Sequence, residues 1–214
     1  MAPSKPETFQ QGFVGILMAD IIAAKERHRA EDSQPNRRDL IRTVFSAVEG
    51  LAWTYREHIT SAARDIGAIS IEEELALSEI NYQVTDQGKI VGQSRFISMP
   101  AMVRLTTRIA SKLDPNLEVR FDTAGWDKFR RAITIRNRVT HPKREVDLLI
   151  SSEDVATCLA AYFWLMDIAA SAMEAANAAL VQYLERFSEV FEDLKAGDPE
   201  TWAEYRSLVR DSDE

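Results

Sequence analysis

The chain reads as a mostly α-helical single domain with one small β-hairpin inserted in it. Three observations predict this. Apolar residues recur at steps of three and four over long stretches, above all 153–195 and 37–66, the period of a helix with one buried face. Only 8 Gly and 7 Pro occur in 214 residues, so little interrupts those stretches. Between 82 and 97 the pattern changes to two short β-type runs flanking Asp86-Gln87-Gly88, a plausible hairpin turn.

Residues 1–8 read as a loose arm. Phe13, Ile16, Leu17, Asp20, Ile21 and Ala24 form a stripe that predicts a first helix near 8–30. The polar run 31–36, interrupted by Pro35, reads as a connector. A second helix, about 37–66, carries Leu40, Val44, Ala47 or Val48, Leu51, Tyr55 and Ile59 on one side and ends near Gly67. Ser70 and Glu73 have capping-box spacing and open a third, shorter helix to about residue 81. The hairpin of 82–97 has too few strands to stabilise itself and is expected to pack on helices.

Pro100 suits the first turn of a helix over 99–113, stopped by Asp114-Pro115-Asn116. Asp122 or Thr123 caps a helix over 123–140, and a short connector follows at 145–150. Ser151 or Ser152 caps the longest helix, about 153–195, with a stripe from Val155 through Leu159, Tyr162, Met166, Ala169 and onward to Leu194. Gly197 ends it. Trp202, Tyr205 and Leu208 make a last short amphipathic turn before an acidic tail at 211–214. Two helices of such length cannot bury both sides within 24.2 kDa, and Ala-rich stretches such as 169–179 permit close helix approach. A homodimer is therefore expected.

The composition narrows the function. Hydrophobic residues at 45% and charged residues at 28% describe a soluble globular protein. No apolar run reads as long enough to span a membrane, and the N-terminus lacks the apolar core of a secretion signal. Cys158 is the only cysteine, which leaves no internal disulfide and no cysteine zinc cluster. The expectation is a cytoplasmic protein with no membrane partner. No His/Asp/Glu cluster has metal-ligand spacing, so neither a metal nor another cofactor is expected. There is no glycine-rich phosphate loop, which argues against a conventional nucleotide hydrolase.

Net charge is −8, yet it is unevenly spread. Residues 101–150 carry 11 Lys and Arg against 6 Asp and Glu, whereas 151–214 carry 4 against 14. The positive surplus surrounds the segment 126–144, where a phosphate-bearing partner would need it. A solvated basic face balanced by an acidic tail explains the same numbers.

Within that segment, Trp126, Phe129 and Ile133 share a helix face, and Arg136 falls on the same face, where a core residue is expected. His141 stands immediately before Pro142, which disfavours helix at the preceding residue and so places the imidazole at the helix exit. Arg136-Asn137-Arg138-Val139-Thr140-His141 resembles the R-x4-6-H motif of HEPN domains, most often written R-N-x-x-x-H. That resemblance implies an up-and-down helical bundle, and in the ribonuclease members two such motifs face each other across a dimer cleft. It further implies a metal-independent endoribonuclease serving as a toxin or antiviral effector, with RNA as substrate and an antitoxin or sensor protein as a possible partner. The H-x-Y extension of HEPN toxins controlled by nucleotidyltransferase antitoxins has no match, because Pro142 and Lys143 follow His141. An antitoxin would have to act otherwise, for instance by covering the cleft.

Metal-free RNA cleavage needs proton transfers at the 2′-hydroxyl and 5′-oxygen and a cation for the phosphate, which histidine and arginine supply. Arg136 and His141 are the candidate catalytic residues. Asn137, four residues before His141, can orient the imidazole or touch the ribose. Glu49, on the second helix, matches the acidic or polar residue that HEPN ribonucleases often carry near the motif. Lys143 and Arg144 can meet flanking phosphates. Each residue also has an ordinary role: Arg136 as a structural tie between helices, His141 as a cap, Asn137 as a polar helix end, and Glu49, Lys143 and Arg144 as solvated charges. His28 and His58 lie among charges and are expected to face solvent. The competing functions are a non-catalytic HEPN-like helical dimer that binds nucleotide, RNA or protein, and an unrelated helical regulatory protein.

Overall fold

The computed structural model describes residues 12–211; the expected arm at 1–8 and the end of the acidic tail, 212–214, lie outside the described residues. Seven α-helices and one two-stranded antiparallel hairpin make up the described chain. Two long helices carry the bundle. α2 (Gln34–Asp65) buries Leu40, Val44, Val48, Leu51, Tyr55 and Ile59, the stripe its sequence predicts. It starts earlier than expected because Pro35 sits in the first turn, where its missing N–H is no loss. α6 (Ser152–Ala196) begins at a full capping box between Ser151 and Asp154 and ends at Gly197, whose φ of 80° is the left-handed conformation glycine tolerates.

α1 (Phe13–Ala30) packs on α2, with Ile21 and Ala24 buried. The two helices approach closely at Gly50, where an added Cβ would lie 2.5 Å from Leu17 Cδ1. α4 (Met99–Leu113) crosses α2 on another side and buries Met102, Val103, Thr106, Thr107, Ile109 and Ala110. Between them the Tyr55 hydroxyl donates to Thr107 Oγ1 at 2.9 Å. Burial pushes that phenol up to about 12. α5 (Ala124–Thr140) lies against α6 and α2 and seats Trp126 and Phe129 beside Trp164. A single 3-10 turn, Glu145–Leu148, links it to α6.

α3 (Ile71–Leu77) opens at the expected Ser70–Glu73 box but stops sooner, because β1 (Ile80–Val84) already pairs with β2 (Ile90–Ser94). Every strand residue is exposed, so the hairpin does not lie on the helices as the sequence suggested. It is held at its base instead. Glu79, with φ 56°, accepts the Arg95 N–H at its carbonyl, and its carboxylate accepts from Ile97 N–H and Arg56 Nη1.

α6 departs from expectation at its far end. Its buried residues stop at Ala176, and beyond them Val181, Leu184, Phe187, Val190 and Phe191 are exposed. α7 (Pro199–Asp211), a full helix rather than a short turn, folds back on this extension with Trp202 and Tyr205 half-exposed. Contrary to the sequence reading, α6 is long and apolar enough to cross a membrane by length and composition, and half of its most apolar window is buried in the bundle.

Candidate active site at the exit of α5

The buried face of α5 runs through Trp126, Phe129, Ala132, Ile135 and Val139. Ile133 and Arg136 therefore sit at the margin of that stripe, not on it as the three- and four-residue steps from Trp126 suggested. The marginal place lets the Arg136 side chain remain 29% exposed while reaching across to α2. There Nη2 donates to the Glu49 carboxylate, and Nη1 donates to Asn137 Oδ1 at 3.1 Å. A guanidinium has five N–H donors, so this pairing leaves capacity for a further acceptor.

His141 is the C-cap of α5, with φ −126° and ψ 59°, the non-helical backbone that Pro142 imposes. Its N–H still closes the last helical bond, to Asn137 O at 2.9 Å. The imidazole is exposed. Asn137 thus serves both neighbours, though its side-chain oxygen is taken by Arg136 and not by the imidazole the sequence reading offered it.

Beyond the helix, the backbone N–H groups of Lys143 and Arg144 both donate to Asp147 Oδ2 at 2.9 Å. The Lys143 bond is the first cause that holds the Asp147 carboxyl below the ordinary carboxylate range, despite desolvation that raises it. Asp147 so pins the turn from which Lys143 and Arg144 project, both exposed. On the other side, Arg138 Nη2 meets Asp154 Oδ2 at 3.0 Å, tying the end of α5 to the start of α6. Arg37 and Gln34 bond Ile150, and Arg38 donates to Leu148 O, so α2 fixes the same linker.

Two depressions adjoin at Asn137. One, open and 710 Å³, is lined by Asn137, Arg138, His141, Lys143, Arg144 and Asp147. The other, a groove of 360 Å³, takes in Glu49, Trp53, Arg56, Glu79, Phe96, Arg136 and Asn137 among others. All six residues singled out in the sequence line one or the other. Arg136 and His141 do not line the same one. Trp53 and Arg56 are not among the residues that the sequence singled out, although Glu49, Trp53 and Arg56 follow one another at four and three residues on one face of α2. Phe96, isolated after β2, carried no signal at all.

His28 and His58 are half-buried instead of facing solvent. His28 Nδ1 lies 3.4 Å from Asp32 Oδ1, and His58 Nε2 lies 3.0 Å from Asn177 Oδ1 on α6. Cys158 is buried, and its thiol is pushed up to about 12 by desolvation. Among the described residues no three His, Cys, Asp or Glu side chains gather as a metal site. No family model, curated protein or solved structure matches this chain.

Proposed function

We propose that the protein is a metal-independent endoribonuclease of the HEPN type, acting in the cytoplasm as a toxin or antiviral effector at a cleft between two copies. The observation that carries the reading is the placement of Arg136 and His141 on either side of Asn137 at the exposed end of α5, with Lys143 and Arg144 beside them. In this reading the 2′-oxygen attacks phosphorus as its proton passes to an imidazole. The bond to the 5′-oxygen breaks as a second imidazole, already protonated, donates to it. The products are a 2′,3′-cyclic phosphate and a 5′-hydroxyl. Arg136 neutralises the charge gathering on the non-bridging oxygens, Glu49 and Asn137 hold its fork, and Lys143 and Arg144 take flanking phosphates. One copy offers a single imidazole at this site, and the step uses two. A second copy supplies the other, which is why the active form is a homodimer. An antitoxin or sensor protein would act by covering that cleft.

Expression of the wild-type chain alone degrades cellular RNA and arrests growth, whereas Arg136→Ala and His141→Ala chains, still folded, do neither. Equal activity of wild type and His141→Ala, unchanged by EDTA, would refute the assignment. A second reading, a non-catalytic dimer that binds nucleotide, RNA or protein, is favoured by the Arg136–Glu49 pair, which neutralises the cation within one copy. It predicts RNA binding without cleavage by the wild type.

A further inference from the structure

The groove of 360 Å³ on the hairpin side of Arg136 has features that the cleavage step does not use. Its floor is apolar: Phe45, Ala52, Met99, Met102 and Ile133. Two aromatic rings at its rim are left in water, Trp53 at 53% and Phe96 at 88% exposure. Aromatics so exposed leave a large apolar area uncovered by the bundle. The position of Phe96 is not accidental slack either. Glu79 grips the chain on both sides of it, through Arg95 N–H and Ile97 N–H, and is itself tied to Arg56 on α2. The residue is therefore presented to the groove from a fastened base. The polar rim holds both donors and acceptors, Arg56 and Asn137 with Glu49 and Glu79, and Arg136 stands at the end nearest the motif.

We propose that this groove is a nucleobase subsite, in which Trp53 and Phe96 offer stacking surfaces to one unpaired base of an RNA strand whose adjoining phosphate meets Arg136. The volume falls within the range of small-ligand pockets, and exposed aromatics next to a cation are the usual equipment for single-stranded RNA. The apolar floor excludes water beneath the base, and the mixed rim reads its edge. The hairpin, all of whose strand residues are exposed, acts as the bracket that carries Phe96. This inference rests on the reading of the chain as RNA-directed, and its test is arranged so that the two fail separately.

The probe is a short fluorescein-labelled 2′-O-methyl RNA, which binds but lacks the nucleophile for cleavage, titrated with the full chain by fluorescence anisotropy. The expected result is a saturable rise in anisotropy on binding, with affinity about tenfold weaker in Trp53→Ala and in Phe96→Ala, the order expected for losing one stacked base. Trp53→Phe restores most of it. Both side chains are exposed, so the variants fold. An abasic strand of equal length binds the wild type as weakly as the intact strand binds Trp53→Ala. Unchanged affinity in both alanine variants would overturn the subsite while leaving cleavage to be judged by His141→Ala. Failure of the wild type to bind any strand, with an apolar peptide bound in its place, would overturn the subsite and the RNA reading together.

Discussion

Arg136 shows how one residue's placement decides what it can do. On the buried stripe a guanidinium would need full internal pairing; at the margin it keeps one face to water and one to Glu49. The Glu49 side chain is 44% exposed, so the pair contributes roughly 0–1 kcal/mol to folding. Glu49→Gln is accordingly expected to move the urea midpoint little while lowering RNA cleavage about tenfold, because the fork loses its hold. A large loss of stability with intact cleavage would make the pair structural. Cys158 gives the opposite kind of prediction. Its buried thiol, pushed up to about 12, stays protonated at pH 8, so a disulfide thiol reagent reacts only as the protein unfolds. Rapid labelling of the native protein would show that the α6 interface opens readily there.

At the scale of elements, the junction of α5 and α6 holds the site in place. Asp154 caps α6 with Ser151 and receives Arg138 from α5. Burial pushes its carboxyl up, but the Ser151 and Arg138 bonds outweigh that and hold it below the ordinary carboxylate value. A carboxyl depressed in the folded state stabilises fully above its unfolded pKa, near 3.9, and loses that contribution as pH falls through the folded value. Asp154→Asn should therefore destabilise by about 1–3 kcal/mol at pH 7, with the gap from wild type closing in acid; denaturant unfolding at both pH values reads it. Gly125 makes a second demand at the same packing surface, since an added Cβ would lie 2.1 Å from Trp164 Cδ1. Gly125→Ala is expected to cost about 1–3 kcal/mol in the same assay.

These elements also show what the sequence revealed. Helix existence and caps were legible because they are local: Ser70, Ser151 and Gly197 act where their spacing put them. The Arg136–Glu49 contact was legible only as an expectation attached to the motif. The division of Arg136 and His141 between two depressions was not, because it depends on which flank of α5 meets α2. The exposed hairpin was not legible either, for its anchor is a single carboxylate, Glu79, bonded across 18 and 23 residues.

At the scale of the whole molecule, two requirements pull on the proposed dimer. The proposed cleavage step needs the α5 exits of two copies together. A large share of the exposed apolar side chains lies elsewhere, on the end of α6 and on α7, where Leu184, Phe187, Phe191, Trp202 and Tyr205 gather around a cleft of 470 Å³ or beside it. Phe187 is 33 residues from Asp154 along one helix, roughly 50 Å at 1.5 Å per residue. An exposed apolar face of this kind suits the association surface of the proposed dimer. The two requirements are met at once if the α6–α7 extension of each copy reaches along its partner toward the partner's α5 exit. Phe187→Asp is then expected to give a monomer by sedimentation at micromolar concentration and to lose RNA cleavage with it. His141→Ala should lose cleavage and stay dimeric. A Phe187→Asp monomer that still cleaves would mean that one copy's site suffices, and a Phe187→Asp dimer that cleaves normally would place the interface elsewhere on the bundle.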